Sequence, residues 1–308
     1  MEVVESAAGC RALLDRARAT GRSVGLVPTM GALHDGHVSL IARARAECDV
    51  VAVSIFVNPL QFGDPEDMAR YPRTLERDLF VCAEAGADVV FVPTVAEMYP
   101  SWPAPPATTV SVRGVSDRWE GASRPGHFDG VATVVSKLLA VAGPCRAYFG
   151  LKDFQQLAVV RRMVSDLCLP AEVVGCPIVR EADGLALSSR NARLSGAERE
   201  AATVLSRALA AGRAAVAAGA RSGDALARAM RAAVAHEPLV RLDYAVAVDA
   251  ASLEEPGDLH DLSSLRLLIA AQVGPVRLID NCAAVARADD VAAAATATEE
   301  VRQLERIG

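Results

Sequence analysis

The stretch "SVGLVPTMGALHDGHVSLIARARAECDVVAVSIFV", residues 23–57, decides the fold. It opens with an apolar run at Ser23–Val27, passes through a helix-like stretch at Val38–Glu47, and ends in a second apolar run at Val50–Val57. Continuous apolar strands that alternate with helices indicate a parallel sheet covered on both faces. We therefore predict an α/β fold built on a Rossmann-like, doubly wound parallel sheet.

The same alternation continues along the first half of the chain. Further strands are predicted at Asp88–Val92, Cys145–Phe149 and Glu172–Cys176, and further helices at Leu75–Ala85, Val131–Ala142 and Asp153–Leu167. Two segments interrupt the pattern. The polar stretch Gln61–Thr74 is a candidate mobile loop or lid, and the proline-rich stretch Pro100–Thr109 is predicted to be extended.

The pattern changes after Pro177, which predicts a second, smaller domain. Alanine-rich helices precede strands there, an order typical of α+β domains. The predicted helices are Gly196–Ala218 and Asp224–His236, and the predicted strands are Arg241–Asp249, Leu265–Val273 and Val276–Asn281. We expect a Rossmann-like domain at 1–178, a smaller C-terminal α+β domain at 179–285, and a low-complexity tail at 286–308.

Composition excludes several classes of protein. The 308 residues are 52% apolar, enough for sizeable cores, yet no run reaches the ~18 apolar residues of a membrane span. The first residues carry acids and lack the basic start of a secretory signal, so we expect a cytoplasmic protein. A net charge of −6 argues against a broad nucleic-acid surface. Seven cysteines without a CxxC pair favour small buried hydrophobes over zinc sites or disulfides.

The histidines of "HDGH" raise three alternatives. If a helix begins near His34–Gly36, its free N–H groups form an anion site suited to phosphate. His34 and His37 then share a face and can donate hydrogen bonds to a phosphate chain. The alternatives, in descending order, are packed core histidines and two metal ligands; no Cys or His cluster supplies further zinc ligands.

A lysine and a hydroxyl-rich loop extend the phosphate interpretation. Lys137 and Lys152 are the only lysines, so 30 of 32 basic residues are arginine. Lys152 lies in "FGLKDFQQ", just after a strand, where an ammonium can reach phosphates as a point charge. Ser188, Ser189 and Arg190 offer two hydroxyls and a guanidinium in a row. A solvated helix start and an ordinary polar loop remain the alternatives.

The segment "FVNPLQFG", Phe56–Gly63, offers a different chemistry. Asn58 and Gln61 are uncharged amides beside apolar residues, a combination suited to a small polar organic molecule. Simple turn chemistry is the alternative.

Together these segments resemble pantothenate synthetases. "HDGH", "FVNPLQF", "RPGHFDGVATVVSKLL", "YFGLKDFQQL" and "IVREADGLALSSRN" occur in that order, and the similarity runs from about Gly21 to Asn191, then more weakly to Asn281. That family belongs to the nucleotidylyl-transferase superfamily. The resemblance implies that the pantoate carboxylate attacks the α-phosphorus of ATP and pyrophosphate leaves. The β-alanine amine then attacks the pantoyl adenylate, which yields pantothenate and AMP.

The resemblance also implies a role for each domain and for individual residues. The domain at 1–178 is expected to bind nucleotide and pantoate, and the domain at 179–285 to close over the site. The expected catalytic residues are His37, in the position of the proton donor, with His34, Lys152 and Arg190. The expected ATP-binding residues are Met30, Gly31, Ala32, Leu33, His34, Asp35, Gly36, His37, Gly150, Leu151, Lys152, Asp153, Val179, Leu187, Ser188, Ser189 and Arg190. The expected substrate-binding residues are Asn58, Gln61 and Gln156 for polar groups, and Pro28, Phe62, Val134, Val135 and Leu138 for the gem-dimethyl group of pantoate.

Three positions depart from the family pattern or leave a role open. Leu151 stands where the family usually has Glu, and Leu187 where Met is common. Asp78, in the helix-like stretch that follows "YPRT", has an expected magnesium role. Mg2+ itself is expected because it accompanies the phosphates of ATP. The resemblance further implies a homodimer with small-molecule substrates and neither a nucleic-acid nor a membrane partner.

Two rival functions remain at this point. Another member of the superfamily that adenylylates a different acid would share the phosphate-binding residues. A nucleotide-binding protein without catalysis would share them too. The amides Asn58, Gln61 and Gln156 favour a small hydroxy acid over the first rival.

Overall fold

A computed structural model of the chain describes residues 1–256 and 261–285. Two compact units divide these residues: unit 1 holds Met1–Leu151 and Gln155–Cys176, and unit 2 holds Lys152–Phe154 and residues 177–285. The predicted tail at 286–308 lies outside the described residues. Within the two described ranges, every helix is too short or too polar to span a lipid bilayer.

Unit 1 is built on a six-stranded sheet in which every neighbouring pair is parallel, with the order β1-β4-β3-β2-β5-β6. Its strands are β1 (Glu2–Val4), β2 (Val24–Thr29), β3 (Val50–Ile55), β4 (Val89–Phe91), β5 (Cys145–Gly150) and β6 (Ala171–Cys176). The predicted fold class is confirmed. The central strand β3 is buried at all six positions, which explains why five of its six residues are apolar.

The helices of unit 1 connect these strands. They are α1 (Ala7–Ala19), α2 (Asp35–Glu47), α3 (Pro65–Arg70), α4 (Leu75–Glu84), α5 (Val95–Met98), α6 (Glu120–Ser123), α7 (His127–Ala142) and α8 (Phe154–Asp166). Helices α1 and α7 pack together, as do α2 and α4, so helices pair on the sheet as a doubly wound fold requires. The strands and helices predicted between Ser23 and Cys176 are found within a few residues of their expected bounds.

Strand order creates a switch point between β2 and β5. The chain leaves β2 through α2 to β3 on one side, while β5 pairs with β2 on the other side through Gly25↔Arg146 and Leu26↔Ala147. In open parallel sheets, ligands bind outside the carboxyl ends of the strands at such a point. The loop that begins at Met30 follows β2 there.

Unit 2 contains a three-stranded antiparallel sheet, β7-β8-β9, formed by β7 (Val240–Asp249), β8 (Leu265–Val273) and β9 (Val276–Ala283). Its helices are α9 (Gly196–Ala202), α10 (Val204–Ala217) and α11 (Gly223–Val234). The single helix predicted at Gly196–Ala218 is wrong, because the helix breaks at Thr203, whose hydroxyl donates to the Glu200 carbonyl at 2.7 Å. The core between helices and sheet includes Leu205, Leu226 and Ile269.

A buried ion pair links the strand β9 to the start of unit 2. Both terminal nitrogens of Arg180 contact Asp280, at 2.6 and 2.8 Å, and the Asp280 side chain is only 3% exposed. The Asp280 carboxylate also accepts the Asn281 backbone N–H at 2.7 Å. Such bidentate pairs combine charge with fixed geometry, which ties the Arg180 segment to β9.

We expect Asp280→Ala to lower the free energy of unfolding by about 3 kcal/mol, because it leaves the Arg180 guanidinium without its buried partner. Asp243→Ala is the matched control: it removes the partner of Arg277, at 2.7 Å, but the Asp243 side chain is 24% exposed against 3% for Asp280, so the loss should be below about 1 kcal/mol. Urea-denaturation midpoints of both variants test this expectation. Equal losses in the two variants would contradict it.

Candidate active site

The loop that connects β2 to α2 has a strained backbone held by one carboxylate. Gly31 and Ala32 both lie in the left-handed region, with φ of 80° and 52°. Asp78 on α4 accepts the Ala32 N–H at 2.9 Å and the Leu33 N–H at 2.8 Å, and Asp78 itself is 1% exposed. An added Cβ at position 31 would lie 2.9 Å from the Asp78 carboxylate. Only glycine therefore fits there.

The two histidines of "HDGH" form the N-terminal cap of α2. His34 is the residue before the helix, and its Nδ1 accepts the Gly36 N–H at 3.1 Å. In return, Nδ1 of His37 accepts the His34 N–H at 3.3 Å. The ring centroids are 4.1 Å apart. This reciprocal pattern is the capping box usually made by Ser or Thr with Glu or Gln.

The capping bonds also fix the chemistry of both rings. A ring nitrogen that accepts a backbone N–H carries no proton, so in the neutral imidazole the hydrogen lies on Nε2. Each histidine therefore carries one N–H donor at the positive end of the α2 dipole. Of the three alternatives left by the sequence, this arrangement favours the anion site, because the rings cap the helix instead of packing inside a core.

A short 3₁₀ helix, Pro59–Gln61, follows β3. Gln61 is its last residue, and Asn58 is the residue just before it. The Asn58 amide uses its full hydrogen-bonding capacity within the protein. Its Oδ1 accepts the Tyr99 hydroxyl at 2.8 Å and the Leu60 N–H at 3.4 Å, and its Nδ2 donates to the Gly130 carbonyl and to Gln61 Oε1, each at 3.0 Å. An amide has two donors and two acceptor sites, so all four are occupied.

This network orients the Gln61 amide. Leu60 N–H can only donate and the Gly130 carbonyl can only accept, so the Asn58 amide has one permitted orientation. Asn58 Nδ2 then requires the oxygen of Gln61, which leaves Gln61 Nε2 beside the weak acceptor Met30 Sδ at 2.9 Å. Gln61 is 7% exposed and Asn58 is 1% exposed. Gln61 is thus the amide whose donors remain available for a ligand.

Burial keeps the Tyr99 hydroxyl protonated. Tyr99 is 2% exposed, and desolvation raises the pKa of its phenol well above the ordinary value. The hydroxyl therefore stays a donor to Asn58 at neutral pH. Sequence reasoning missed this residue, because no motif marks a tyrosine 41 positions away from the amide it contacts.

Helix α7 lies directly against the turn that carries the amides. An added Cβ at Gly130 would lie 2.4 Å from the Leu60 carbonyl oxygen and 2.7 Å from the Gln61 nitrogen. Glycine inside a helix costs about 1 kcal/mol relative to alanine. At Gly130 this cost is offset because the missing Cβ lets the Leu60–Gln61 backbone pack directly against α7. The predicted apolar wall residues Val134, Val135 and Leu138 are buried on this helix, while Pro28 and Phe62 are half-buried.

In unit 2, the structure brings Lys152 and Ser188 together. Both line one small cavity, with Asn191 and Asp280 among its other walls. Asn281 donates to the Lys152 carbonyl at 2.8 Å and accepts from Arg266 Nε at 2.8 Å, so β9 fixes the backbone of the lysine. Ser189 and Arg190 belong to a 3₁₀ helix, Ser189–Arg193, capped by the Ser188 hydroxyl.

The remaining predicted site residues fall on the ends of elements. Gly150 ends β5, Leu151 and Asp153 form a 3₁₀ turn with Lys152, and Gln156 lies in the first turn of α8. The Val179 carbonyl accepts the Leu187 N–H at 3.0 Å, so these two residues close the "EADG" turn. Asp35 opens the first turn of α2.

The structure gives Asp78 a different environment from that of a metal ligand. Both carboxylate oxygens accept backbone N–H groups, and the Thr74 hydroxyl lies 3.2 Å from each of them. The described ranges contain no group of three or more His, Cys, Asp and Glu side chains able to hold a metal ion. Asp78 therefore fits a role in holding the loop, and its metal role stays a prediction.

Comparison with known proteins places the chain in a class of ATP-dependent ligases. A family model for pantoate-beta-alanine ligase matches residues 2–283. The chain is 56% identical over 264 residues to the pantothenate synthetase of Roseiflexus sp. (strain RS-1). The aligned residues cover 84% of this chain and 92% of that relative. The chain belongs to the pantoate-beta-alanine ligase family, as the sequence resemblance predicts.

Solved structures agree with this assignment. The crystal structure of pantothenate synthetase from Thermus thermophilus matches with a TM-score of 0.86 at 49% identity, and covers 93% of this chain and 100% of that one. A pantoate-beta-alanine ligase from Francisella tularensis, complexed with beta-gamma ATP and beta-alanine, matches with a TM-score of 0.75 at 32% identity, over 92% of this chain and 98% of that one.

We expect Asp78→Asn to raise the KM for ATP at least ~10-fold, because an amide NH2 would face one of the two backbone donors and release the Gly31–Leu33 loop; losing a hydrogen bond to a charged group has about this effect. Glu76→Gln is the control, since it neutralises an exposed acid on the same helix. Steady-state kinetics with varied ATP measure the difference. An unchanged KM in Asp78→Asn would show that the carboxylate does not hold the loop.

Proposed function

We propose that this chain catalyses the ATP-dependent condensation of pantoate with β-alanine to pantothenate, through a pantoyl adenylate, with release of AMP and pyrophosphate. The observation that carries this proposal is the capped pair His34 and His37. Two Nε2–H donors at a helix N-terminus suit a pyrophosphate leaving group, whose charge grows as the bond to the α-phosphorus breaks. Family membership supports the same reaction.

In the first step, a pantoate carboxylate oxygen attacks the α-phosphorus and the bond to the β-phosphate oxygen breaks. His34 and His37 donate hydrogen bonds to the phosphates, and His37 is the proton donor. Unit 2 contributes further donors to the same phosphates: the ammonium of Lys152, the hydroxyls of Ser188 and Ser189, and the guanidinium of Arg190. These residues stabilise charge, as phosphoryl-transfer enzymes generally do. The participation of unit 2, and its closure over the site, are part of the proposal.

In the second step, the β-alanine amine attacks the carbonyl carbon of the adenylate and AMP leaves. No group of the enzyme needs to act as a covalent nucleophile. Burial raises the pKa of the Cys10 and Cys282 thiols to about 11, and that of Cys82, Cys145 and Cys176 to about 12. At neutral pH these five thiols are protonated, so they are poor nucleophiles.

Pantoate recognition is assigned to the amides after β3. Gln61 donates from Nε2 to an oxygen of pantoate, and Gln156 binds from another side. Asn58 acts through Gln61, because its own amide is fully bonded inside the protein. The gem-dimethyl group contacts the apolar wall of α7, formed by Val134, Val135 and Leu138 with Pro28 and Phe62.

ATP enters as its magnesium complex in this proposal, so the metal arrives with the substrate. Asp78 is retained as a predicted ligand only, since its oxygens face backbone amides. A cytoplasmic homodimer with no nucleic-acid or membrane partner completes the proposal. Two-fold dimers are the commonest oligomers of soluble proteins, which supports the expected stoichiometry.

The reaction is tested by AMP formation from ATP with pantoate and β-alanine supplied singly and together. We expect AMP to accumulate only when all three substrates are present, because the adenylate stays bound until the amine arrives. Replacing pantoate by an acid without hydroxyl groups should abolish AMP formation. Equal AMP formation with that acid would assign the chain to another adenylylating function.

We expect Lys152→Ala to lower kcat at least ~100-fold, the usual effect of removing one donor that stabilises transition-state charge. Arg162→Ala removes an exposed positive charge paired with Asp166 on α8 and should leave kcat unchanged. Stopped assays for AMP measure both variants. If Lys152→Ala kept the wild-type rate, the lysine would have no part in phosphate chemistry.

A further inference from the structure

The Gln61 turn has a second anchor, which no step of the reaction uses. His127, the first residue of α7, is 8% exposed, and its Nδ1 lies 2.9 Å from the Gln61 backbone oxygen. Arg124 approaches the same histidine from the other side, with Nη1 3.1 Å from Nε2. Arg124 Nη2 also donates to the Gln61 oxygen, at 3.4 Å.

The neighbours of His127 define its protonation and tautomer. A carbonyl oxygen accepts only, so the Gln61 contact requires a hydrogen on Nδ1. A guanidinium donates only, so the Arg124 contact requires a lone pair on Nε2. The imidazole that satisfies both contacts is neutral and carries its hydrogen on Nδ1. This tautomer is opposite to the one that the capping bonds impose on His34 and His37.

The His127 bond acts on the same turn as Gly130. Gly130 admits the Leu60–Gln61 backbone against α7, and its carbonyl accepts from Asn58 Nδ2 at 3.0 Å. Asn58 in turn holds the Gln61 side chain through Oε1. The backbone oxygen and the side-chain oxygen of Gln61 are therefore both bonded, and its Nε2 is the group left to face a ligand.

We propose that His127 is a positioning residue for the reaction: as the neutral Nδ1–H tautomer, held by Arg124, it anchors the Gln61 carbonyl and so aims Gln61 Nε2 at pantoate. This inference rests on the proposed function, because it assigns pantoate to Gln61. A displacement of about 1 Å at a substrate-positioning group is enough to lower the rate by a factor of roughly a hundred. His127 itself does not touch the reacting atoms.

Two substitutions separate the two contacts of the ring. In His127→Asn, the amide nitrogen takes the place of Nδ1 and keeps the bond to the Gln61 carbonyl. In His127→Gln, the longer amide takes the place of Nε2, keeps the contact with Arg124 and loses the bond to Gln61. Thermal midpoints establish that each variant is folded. A variant that fails to fold is replaced in the comparison by Arg124→Lys, which weakens the two contacts that Arg124 makes, one with His127 Nε2 and one with the Gln61 carbonyl oxygen.

We expect His127→Gln to lower kcat/KM for pantoate at least ~10-fold, the effect of one lost hydrogen bond at a positioning group. His127→Asn should stay within about 3-fold of the wild type on the same basis. The KM for ATP should change little in either variant, because the predicted ATP residues of unit 1 lie on the β2–α2 loop and at the end of β5, not on the Gln61 turn. Equal losses in the two variants, or equal effects on ATP and pantoate, would overturn the inference and leave a purely structural role.

A second readout does not depend on activity. In 15N-labelled wild-type protein, the His127 resonances, assigned by their loss in His127→Asn, should show a protonated Nδ1 and an unprotonated Nε2. A hydrogen on Nε2 would overturn the inference. If the wild type formed no AMP from the three substrates, the proposed function would fail, while this spectrum would still decide the hydrogen-bonding role of His127.

Discussion

The site depends on one buried carboxylate. Asp78 is the group that satisfies the backbone N–H groups of Ala32 and Leu33, which belong to a loop with two consecutive left-handed conformations. A non-glycine residue in that region costs of order 1 kcal/mol or more, so it persists only where surrounding bonds determine it. Because this loop ends at His34, the carboxylate also determines where α2 begins. The direction of the helix dipole and the placement of both capping histidines follow from that start.

A single arrangement recurs on the described part of unit 1: acceptor atoms are occupied by bonds inside the protein, and the same side chains carry N–H donors on their other atoms. The Nδ1 atoms of His34 and His37 accept backbone bonds, so each ring carries its hydrogen on Nε2. The oxygen of the Gln61 side chain accepts from Asn58, so its donors lie on Nε2. Pantoate and the phosphates of ATP present mainly oxygen acceptors. Donors fixed in place before binding lose little entropy when those acceptors arrive.

Much of this architecture could be predicted from the sequence, and the limits have physical causes. Buried parallel strands are apolar at nearly every position, so β3 and its neighbours stand out without any knowledge of their partners. Helix periodicity likewise predicted α2, α4 and α8. The break at Thr203 was missed, because alanine-rich sequence favours helix on both sides and only the packing of α9 and α10 distinguishes two helices from one. Strand β1 and α1 also lie outside the predicted elements.

The predicted site residues show the same division. Motifs point to candidate ligand-facing groups, because HxGH and the amides after β3 have recognisable spacing. They single out neither Tyr99 nor His127 and give Asp78 a magnesium role instead of a structural one, since these three residues act from 41 to 66 positions away. Asn58 is predicted to bind pantoate directly, whereas its four internal bonds favour a role as a support for Gln61. The proposed reaction proceeds by positioning and charge stabilisation, without a covalent enzyme intermediate, so it depends on such supporting residues. A donor that is still mobile must be ordered as the transition state forms, and the entropy lost in ordering it lowers the net stabilisation.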